Sequence, residues 1–365
     1  MNTVRDKYTT IVGVDTHART NTYALLEAAS GRVVDTATFP TSPPGLARAI
    51  TWIDRRRTPG RTLVAIEGTN SYGASLTRAL AATDLEVCEV HPPRRASRAG
   101  RGKSDDIDAL AAARTVLAED VSALLEPRAG GNREALRILL NARDAVERQS
   151  TADRLSLTAL VRTLDLGIDA RTALTDAQIT QISRWRTHAG DDLPTRIARA
   201  EAKRLATAIK DFQTLSAQNR QQLIEVVTTM APGLMDLPGL GPVTAGQVLL
   251  CYSHHGRVRS EAAFAALAGV NPIPASSGHT VRHRLNRSGD RQLNRALHTI
   301  ARTRMMFDPE TKDYVALRTA EGKSLREIRR CLKRFIARQL FRKLQTLLTQ
   351  TIEGSSSSRE RAGTR

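Results

Sequence analysis

The chain has 365 residues, too many for one ordinary core, and its 41 % apolar content suffices for two or three. Lys and Arg number 55 against 37 Asp and Glu, a formal net charge of +18, so a polyanion, most often nucleic acid, is the expected partner. No apolar run approaches the roughly 20 residues of a membrane span. No signal-like apolar segment follows Met1, and Cys88, Cys251 and Cys331 lie too far apart for a zinc finger or a disulfide ladder; a cytoplasmic location is expected.

Taken in order, Thr9–Val14, Thr22–Leu26 and Val33–Phe39 read as three β-branched strands, the last two separated by the turn Ala29-Ser30-Gly31. Pro43-Pro44-Gly45 opens a helix to about Arg56. Thr62–Ile66 reads as a buried strand, Ser71–Ala81 as a helix and Leu85–Val90 as a fifth strand. His91-Pro92-Pro93 stops that strand, and a basic loop follows with Arg94, Arg95, Arg98, Arg101 and Lys103. Ser104 is placed to cap a helix to about Leu117, with Asp105 and Asp106 in its first turn. The order βββαβαβα is similar to that of the ribonuclease-H-like fold, an α/β domain expected over residues 1–125.

Residues 126–231 change to long helices, over about 132–164 and 194–230, with Leu136, Leu140, Ile209 and Leu223 among the apolar positions. The spacing predicts a helical hairpin or imperfect coiled coil, serving as a bundle spacer or as a dimerisation arm. A mostly α domain is expected over 232–350, and the Ser-rich tail 351–365 is expected to be disordered.

Two constellations carry chemistry. Asp15 ends the first strand and Glu67 the fourth, and an unpaired carboxylate at the edge of a core is costly unless a charge offsets it. Asp105 and Asp108, three apart at a helix start, share a face, while Asp106 points elsewhere. Each could be only a favourable helix-terminal or solvated charge. Together with Asp15 and Glu67 they form a set of hard oxygen ligands suited to Mg²⁺ or Mn²⁺. His17 reads as a neighbour of that site or a surface residue.

In the second constellation, Leu237-Pro238-Gly239-Leu240-Gly241-Pro242 resembles a helix-hairpin-helix turn, in which Gly239 and Gly241 bring backbone close to a phosphate; a tight turn between core helices is the competing reading. Downstream lie Gly269-Val270-Asn271-Pro272, Ser276-Ser277-Gly278, the cations Arg282, Arg284, Arg287, Arg291 and Arg295, and the turn Ser288-Gly289-Asp290. Chemistry alone makes the serine a phosphate-contacting hydroxyl or a nucleophile, with arginines to stabilise charge on phosphorus. The last helix presents Arg326, Arg329, Arg330, Lys333, Arg334, Arg338, Arg342 and Lys343, a face that is either solvated or laid against nucleic-acid backbone.

Gly13-Val14-Asp15-Thr16-His17, Ile66-Glu67-Gly68-Thr69 with Tyr72-Gly73, and Lys103-Ser104-Asp105-Asp106-Ile107-Asp108 resemble, in order, the signature of the DEDD transposases of the IS110 insertion-sequence family. Their N-terminal domain resembles the RuvC Holliday-junction resolvase. Asn271-Pro272, Ser277-Gly278 and Gly289-Asp290 resemble the family's C-terminal domain, although the serine-to-Gly-Asp spacing is slightly short. The resemblance implies a metal-binding tetrad of Asp15, Glu67, Asp105 and Asp108, and a nucleophilic Ser277, with Ser276 chosen if the match shifts by one. It also implies donor and target DNA, a structured bridge RNA, dimers or tetramers, and a prokaryotic, nucleoid-associated setting. Two rivals stand beside that expectation: a metal-dependent junction endonuclease that needs no serine, and a non-catalytic DNA-binding scaffold.

Overall fold

The computed structural model describes residues 3–90, 104–128, 131–186, 190–254, 256–275 and 283–362, with side chains described to 348 except that of His283. They fall into two compact units, Met1–Glu134 and Ala135–Arg365.

Unit 1 contains α1 (Val4–Lys7), β1 (Thr10–Thr16), β2 (Thr20–Glu27), β3 (Val33–Pro40), α2 (Pro43–Arg56), β4 (Thr62–Glu67), α3 (Ala74–Leu80), β5 (Glu86–Val90) and α4 (Asp105–Leu117). The expected alternation of strands and helices is therefore present. The strands form one mixed sheet in the order β3-β2-β1-β4-β5, with β1 antiparallel to β2 and parallel to β4. Both faces of the centre are covered, so β1 and β4 are apolar nearly throughout rather than alternating. Ile11, Leu63, Ala65 and Cys88 face Ala109, Ala113 and Val116 of α4. Val12, Val14, Val64 and Ile66 face Leu46, Ile53, Leu76 and Leu80 of α2 and α3. The helix expected from Ser71 begins only at Ala74, because Gly68 turns at φ 68° and Ser71 bonds back to its carbonyl.

Unit 2 is helical, with α5 (Gly131–Thr163) entering from the end of unit 1, then α6 (Asp176–Ser183), α7 (Leu193–Met230), α8 (Pro242–Tyr252), α9 (Glu261–Leu267), α10 (Arg291–Phe307), α11 (Pro309–Ala320) and α12 (Leu325–Ala362). A two-stranded ladder, β6 (Ile273–Pro274) with β7 (His283–Arg284), interrupts it. The long helices α5 and α7 run antiparallel, as the contacts Asn219 Nδ2 to Leu139 O and Arg143 Nη1 to Ser216 O require. Their distal halves enclose a small core of Leu157, Val161, Leu205 and Ile209, closed by Ile179 and Ile182 of α6, a helix the periodicity does not announce. Their bases are not a separate spacer. Leu136, Leu140, Leu223 and Val227 belong to the same core as Val248, Phe264, Leu297 and Leu340. On α5, Leu155 is exposed while Leu157, two residues on, is buried. The last helix is drawn to Ala362, through the stretch whose composition suggested disorder.

Candidate metal centre and serine-loop scaffold

The acidic site is built on backbone register. Val14 pairs with Ile66 across the parallel β1–β4 ladder, so Asp15 and Glu67 follow as the next residues of adjacent strands on the α4 side. Thr16 Oγ1 donates to Glu67 O at 2.9 Å and ties the two strand ends together. The approach of α4 is set by Gly13. A Cβ on Gly13 would lie 2.0 Å from Ala109 O and 2.5 Å from Ala113 N, so only glycine lets the helix rest on the strand. That contact carries the first turn of α4 to the end of β1. The motif spacing alone gives Gly13 no such role, although a glycine inside a buried strand is itself a sign of close backbone approach.

The result places Asp15, 9 % exposed, beneath a half-exposed Asp105. His17 Nε2 sits 3.1 Å from Asp15 Oδ2 and 3.4 Å from Asp105 Oδ1, and ligand atoms of these three lie within 4.8 Å of one another. The tight group is thus Asp15, His17 and Asp105. Glu67 and Asp108, expected beside them, are partly buried and lie outside that trio, although Asp108 acts electrostatically on Asp15. His17 is thus exposed at the surface and a direct neighbour of Asp15, and it is also one of the three residues drawn together. Asp106 is exposed, as its phase on the helix requires. Ser104 occupies the N-cap of α4 with extended backbone, but its side chain makes no capping bond.

Burial pushes the Asp15 carboxyl above its ordinary range; His17 opposes this, and Asp108 and Asp105 push it further up. Carboxylates forced together in a half-buried setting are the donor chemistry that a divalent cation offsets, and oxygen ligands of this kind fit Mg²⁺ or Mn²⁺. The residues present therefore fit the implied ion.

In unit 2, Ser277 and Ser276 lie outside the described residues, as do Arg282 and the basic-loop residues Arg94, Arg95, Arg98, Arg101 and Lys103. What surrounds the serine segment is described. The β6–β7 ladder holds the two ends of that segment side by side. Below it, Asn286 Nδ2 donates to Asn271 Oδ1 at 2.6 Å, and Asn286 Oδ1 accepts from Ser288 N and Oγ. Gly269 (φ 63°) and Gly289 (φ 96°) let the two loops touch: a Cβ on either would lie 2.5–2.7 Å from the Ser288 or Leu267 carbonyl oxygen. Asp290 Oδ1 caps α10 through Gln292 N and Leu293 N, and Asn294 Nδ2 bonds Ala268 O. The Gly-Val-Asn-Pro and Asn-Arg-Ser-Gly-Asp runs are thus a clasp at the base of the hairpin.

The basic residues divide. Arg284, Arg287 and Arg291 are exposed; Arg295, exposed too, is paired with Asp144 at 3.4 Å. Gly239 turns at φ 77° against α10, its missing Cβ facing Ile300 O at 3.0 Å, and Arg304 Nε bonds Pro238 O. This gives Gly239 a packing role between helices. Gly241 is the N-cap of α8 and has open space at its Cβ.

The chain thus joins an α/β unit with carboxylates at strand ends to a helical unit with a clasped loop. Comparison with known families makes that arrangement specific. Residues 12–164 match the DEDD model of IS110 transposases, described as "Transposase", and residues 231–316 match the "Transposase IS116/IS110/IS902 family". The chain carries both domains of IS110-family transposases, a family of DNA-cleaving and DNA-recombining enzymes. It is also 32 % identical over 96 residues to the "Insertion element IS110 uncharacterized 43.6 kDa protein" of Streptomyces coelicolor. That stretch covers 26 % of this chain and 24 % of the relative, so the chain spans about a quarter of the length of the curated relative it matches. No helix among the described residues is long and apolar enough to cross a membrane.

Proposed function

We propose that the chain is the transposase of an insertion sequence, cutting and rejoining DNA strands with its acidic centre and Ser277. The observation that carries this is the delivery of Asp105 over Gly13 to Asp15, inside the stretch that matches the DEDD transposase model. The element order supports a ribonuclease-H-like, RuvC-like reading of unit 1.

Asp15, Glu67, Asp105 and Asp108 would hold Mg²⁺ or Mn²⁺, with His17 bridging Asp15 and Asp105. When bound, such an ion withdraws charge from a phosphodiester and favours departure of its oxygen. Asp15 and Asp105 fix the ligands from two elements, so the site is preorganised by the sheet rather than by loops. Ser277 Oγ forms a bond to phosphorus as one P–O bond to a deoxyribose oxygen breaks, and that oxygen leaves with a proton. The hydroxyl of an exchanged strand reverses the step, so no water is consumed and no free end is released. The clasp of Asn271, Asn286 and Ser288 lies beside the β6–β7 ladder, between whose strands Ser277 falls in the sequence.

The resemblance further supports guidance by a structured bridge RNA, and dimers or tetramers in which one subunit's carboxylates meet another's serine. The test is a covalent trap. Wild-type protein with Mg²⁺ and element-end DNA should give a protein–DNA adduct, absent in Ser277→Ala. An adduct that persists in that variant rejects the serine mechanism, and clean free ends favour a metal-dependent endonuclease. A protein whose Asp15→Asn variant behaves like wild type in every DNA assay would be a scaffold.

A further inference from the structure

Unit 2 holds a cavity of about 500 Å³ between the Leu285–Asp290 loop, the first turns of α10 and the start of α12. Its cations are Arg287, Arg291, Arg326, Arg329, Arg330 and Lys333, against one carboxylate, Asp290. That carboxylate is already spent on capping α10. The α12 residues recur at 326, 329, 330 and 333, and the α10 residues at 291, 294 and 298, so each helix turns one face inward.

Elsewhere on the same helices three cations meet carboxylates. Arg338 and Arg342 both pair with Glu261, and Arg295 pairs with Asp144. Among the described residues no carboxylate forms an ion pair with the six cations of the cavity, and the buried Nε of Arg329 has no hydrogen-bond partner. Lys333 Nζ is held by Asn294 Oδ1 at 2.6 Å and so is aimed rather than free to swing to solvent. Burial, then the neighbouring Arg329, lowers the Lys333 ammonium below its ordinary value; burial lowers His298 too, reinforced by Lys333 and Arg329. Six cations around one carboxylate, with Glu327 acting on Arg330 from the same helix, leave the cavity net positive, a cost to the folded chain that a bound anion offsets.

We infer that this cavity is a phosphodiester clamp, seating the backbone of a nucleic-acid strand between α10 and α12. A volume of this size takes a nucleotide unit rather than a lone phosphate. Guanidinium forks from two directions suit phosphate oxygens, and Lys333 adds a point charge. The clamp is built on Asp290 and Asn294, which also cap α10 and bond Ala268 O. The inference rests on the proposed DNA-handling function and adds where the backbone is held.

The test uses the full chain, freed of nucleic acid, in anisotropy titrations against a labelled DNA duplex and an RNA of the same sequence, at salt from about 50 to 200 mM. Two variants remove two charges from the cavity: Arg326→Gln with Arg330→Gln, and Arg329→Gln with Lys333→Gln. A control, Arg338→Gln with Arg342→Gln, removes two charges of the same helix that lie outside the cavity and share the Glu261 carboxylate. Each lost phosphate contact should weaken binding roughly fivefold near 0.15 M salt and reduce the salt slope by about one. The cavity variants should therefore lose on the order of 30-fold, and the control little. Loss with DNA only or RNA only identifies the strand, and either supports the clamp. Equal weakening by cavity and control variants, with equal slopes, overturns it. If the Arg329/Lys333 variant fails to fold, the Arg326/Arg330 pair decides, because both side chains are exposed. A wild-type chain that binds neither probe rejects the proposed function itself, a result distinct from failure of the clamp.

Discussion

The two units place their chemical groups by different means. In unit 1 the acidic residues sit where regular elements end: Asp15 and Glu67 at strand termini, Asp105 in the first turn of α4. Their positions follow from ladder register and from one helix resting on Gly13. In unit 2 the corresponding loop stands on side-chain bonds between irregular segments, Asn286 with Asn271 and Ser288, and on two glycines at positive φ. A site held by backbone register tolerates change in its surroundings but not in its few close contacts. A site held by side-chain bonds fails by degrees as each bond is removed.

The sharpest way to break that comparison is at Asp15. Asp15→Asn keeps the shape and removes the charge at the most buried carboxylate of the centre, and strand cleavage should fall by about 10²–10³-fold or more. Folding should not suffer. Burial and the two neighbouring carboxylates make the ionised Asp15 unfavourable, so a neutral amide relieves strain. A thermal melt in the absence of metal should therefore show the Asp15→Asn protein equal to or above wild type, while chelation of metal should abolish cleavage by the wild type. A large loss of stability would mean that Asp15 serves the fold and not a metal.

Next in size is Gly13→Ala. The added Cβ meets backbone atoms rather than a flexible side chain, so α4 must move; overpacking of this kind costs about 1–3 kcal/mol. Because the same helix carries Asp105 and Asp108, cleavage should drop further than stability alone explains. Asn286→Ala should cost a similar or smaller amount, about 1–3 kcal/mol, by stranding Asn271 and the Ser288 amide. Here cleavage should fall with no change in Mn²⁺ affinity, measured by calorimetry, since the proposed metal ligands belong to the other unit.

How much of this could be read beforehand follows the same division. The strands, the first helices and the carboxylates at their ends are legible because apolar runs stopping at an acid leave few alternatives. The role of Gly13 is a matter of helix-to-strand distance, and that of His17 a matter of two carboxylates converging from separate elements; neither is a sequence spacing. In unit 2 the Asn and Gly motif is visible as letters, but its meaning as a clasp depends on bonds between residues 15 apart in the chain. The basic residues looked alike in sequence. Only pairing with Asp144 and Glu261 separates three ion-paired cations from those facing the cavity. The buried Leu157 beside an exposed Leu155 has the same lesson, since which apolar residue faces inward is decided by the partner helix.

The smallest expected effect is also the one that separates the units most cleanly. Cys88 lies in the unit 1 core under α4 and Cys251 in the unit 2 core near Asp290, each with its thiol pushed by burial up to about 12. Burial keeps both thiols protonated and out of reach, so alkylation of the native protein at pH 8 should be confined to the partly exposed Cys331. Labelling at Cys88 or Cys251 then reports opening of the unit that contains it. Gly13→Ala, by pushing α4 off β1, should raise labelling of Cys88 several-fold and leave Cys251 protected; Asn286→Ala, by loosening the segment that leads to Asp290, should do the reverse. Peptide mass mapping after a short pulse of iodoacetamide reads both sites in one sample. If either substitution exposes both thiols equally, the two units open as one, and the contrast between register and clasp does not describe how this chain holds its chemistry.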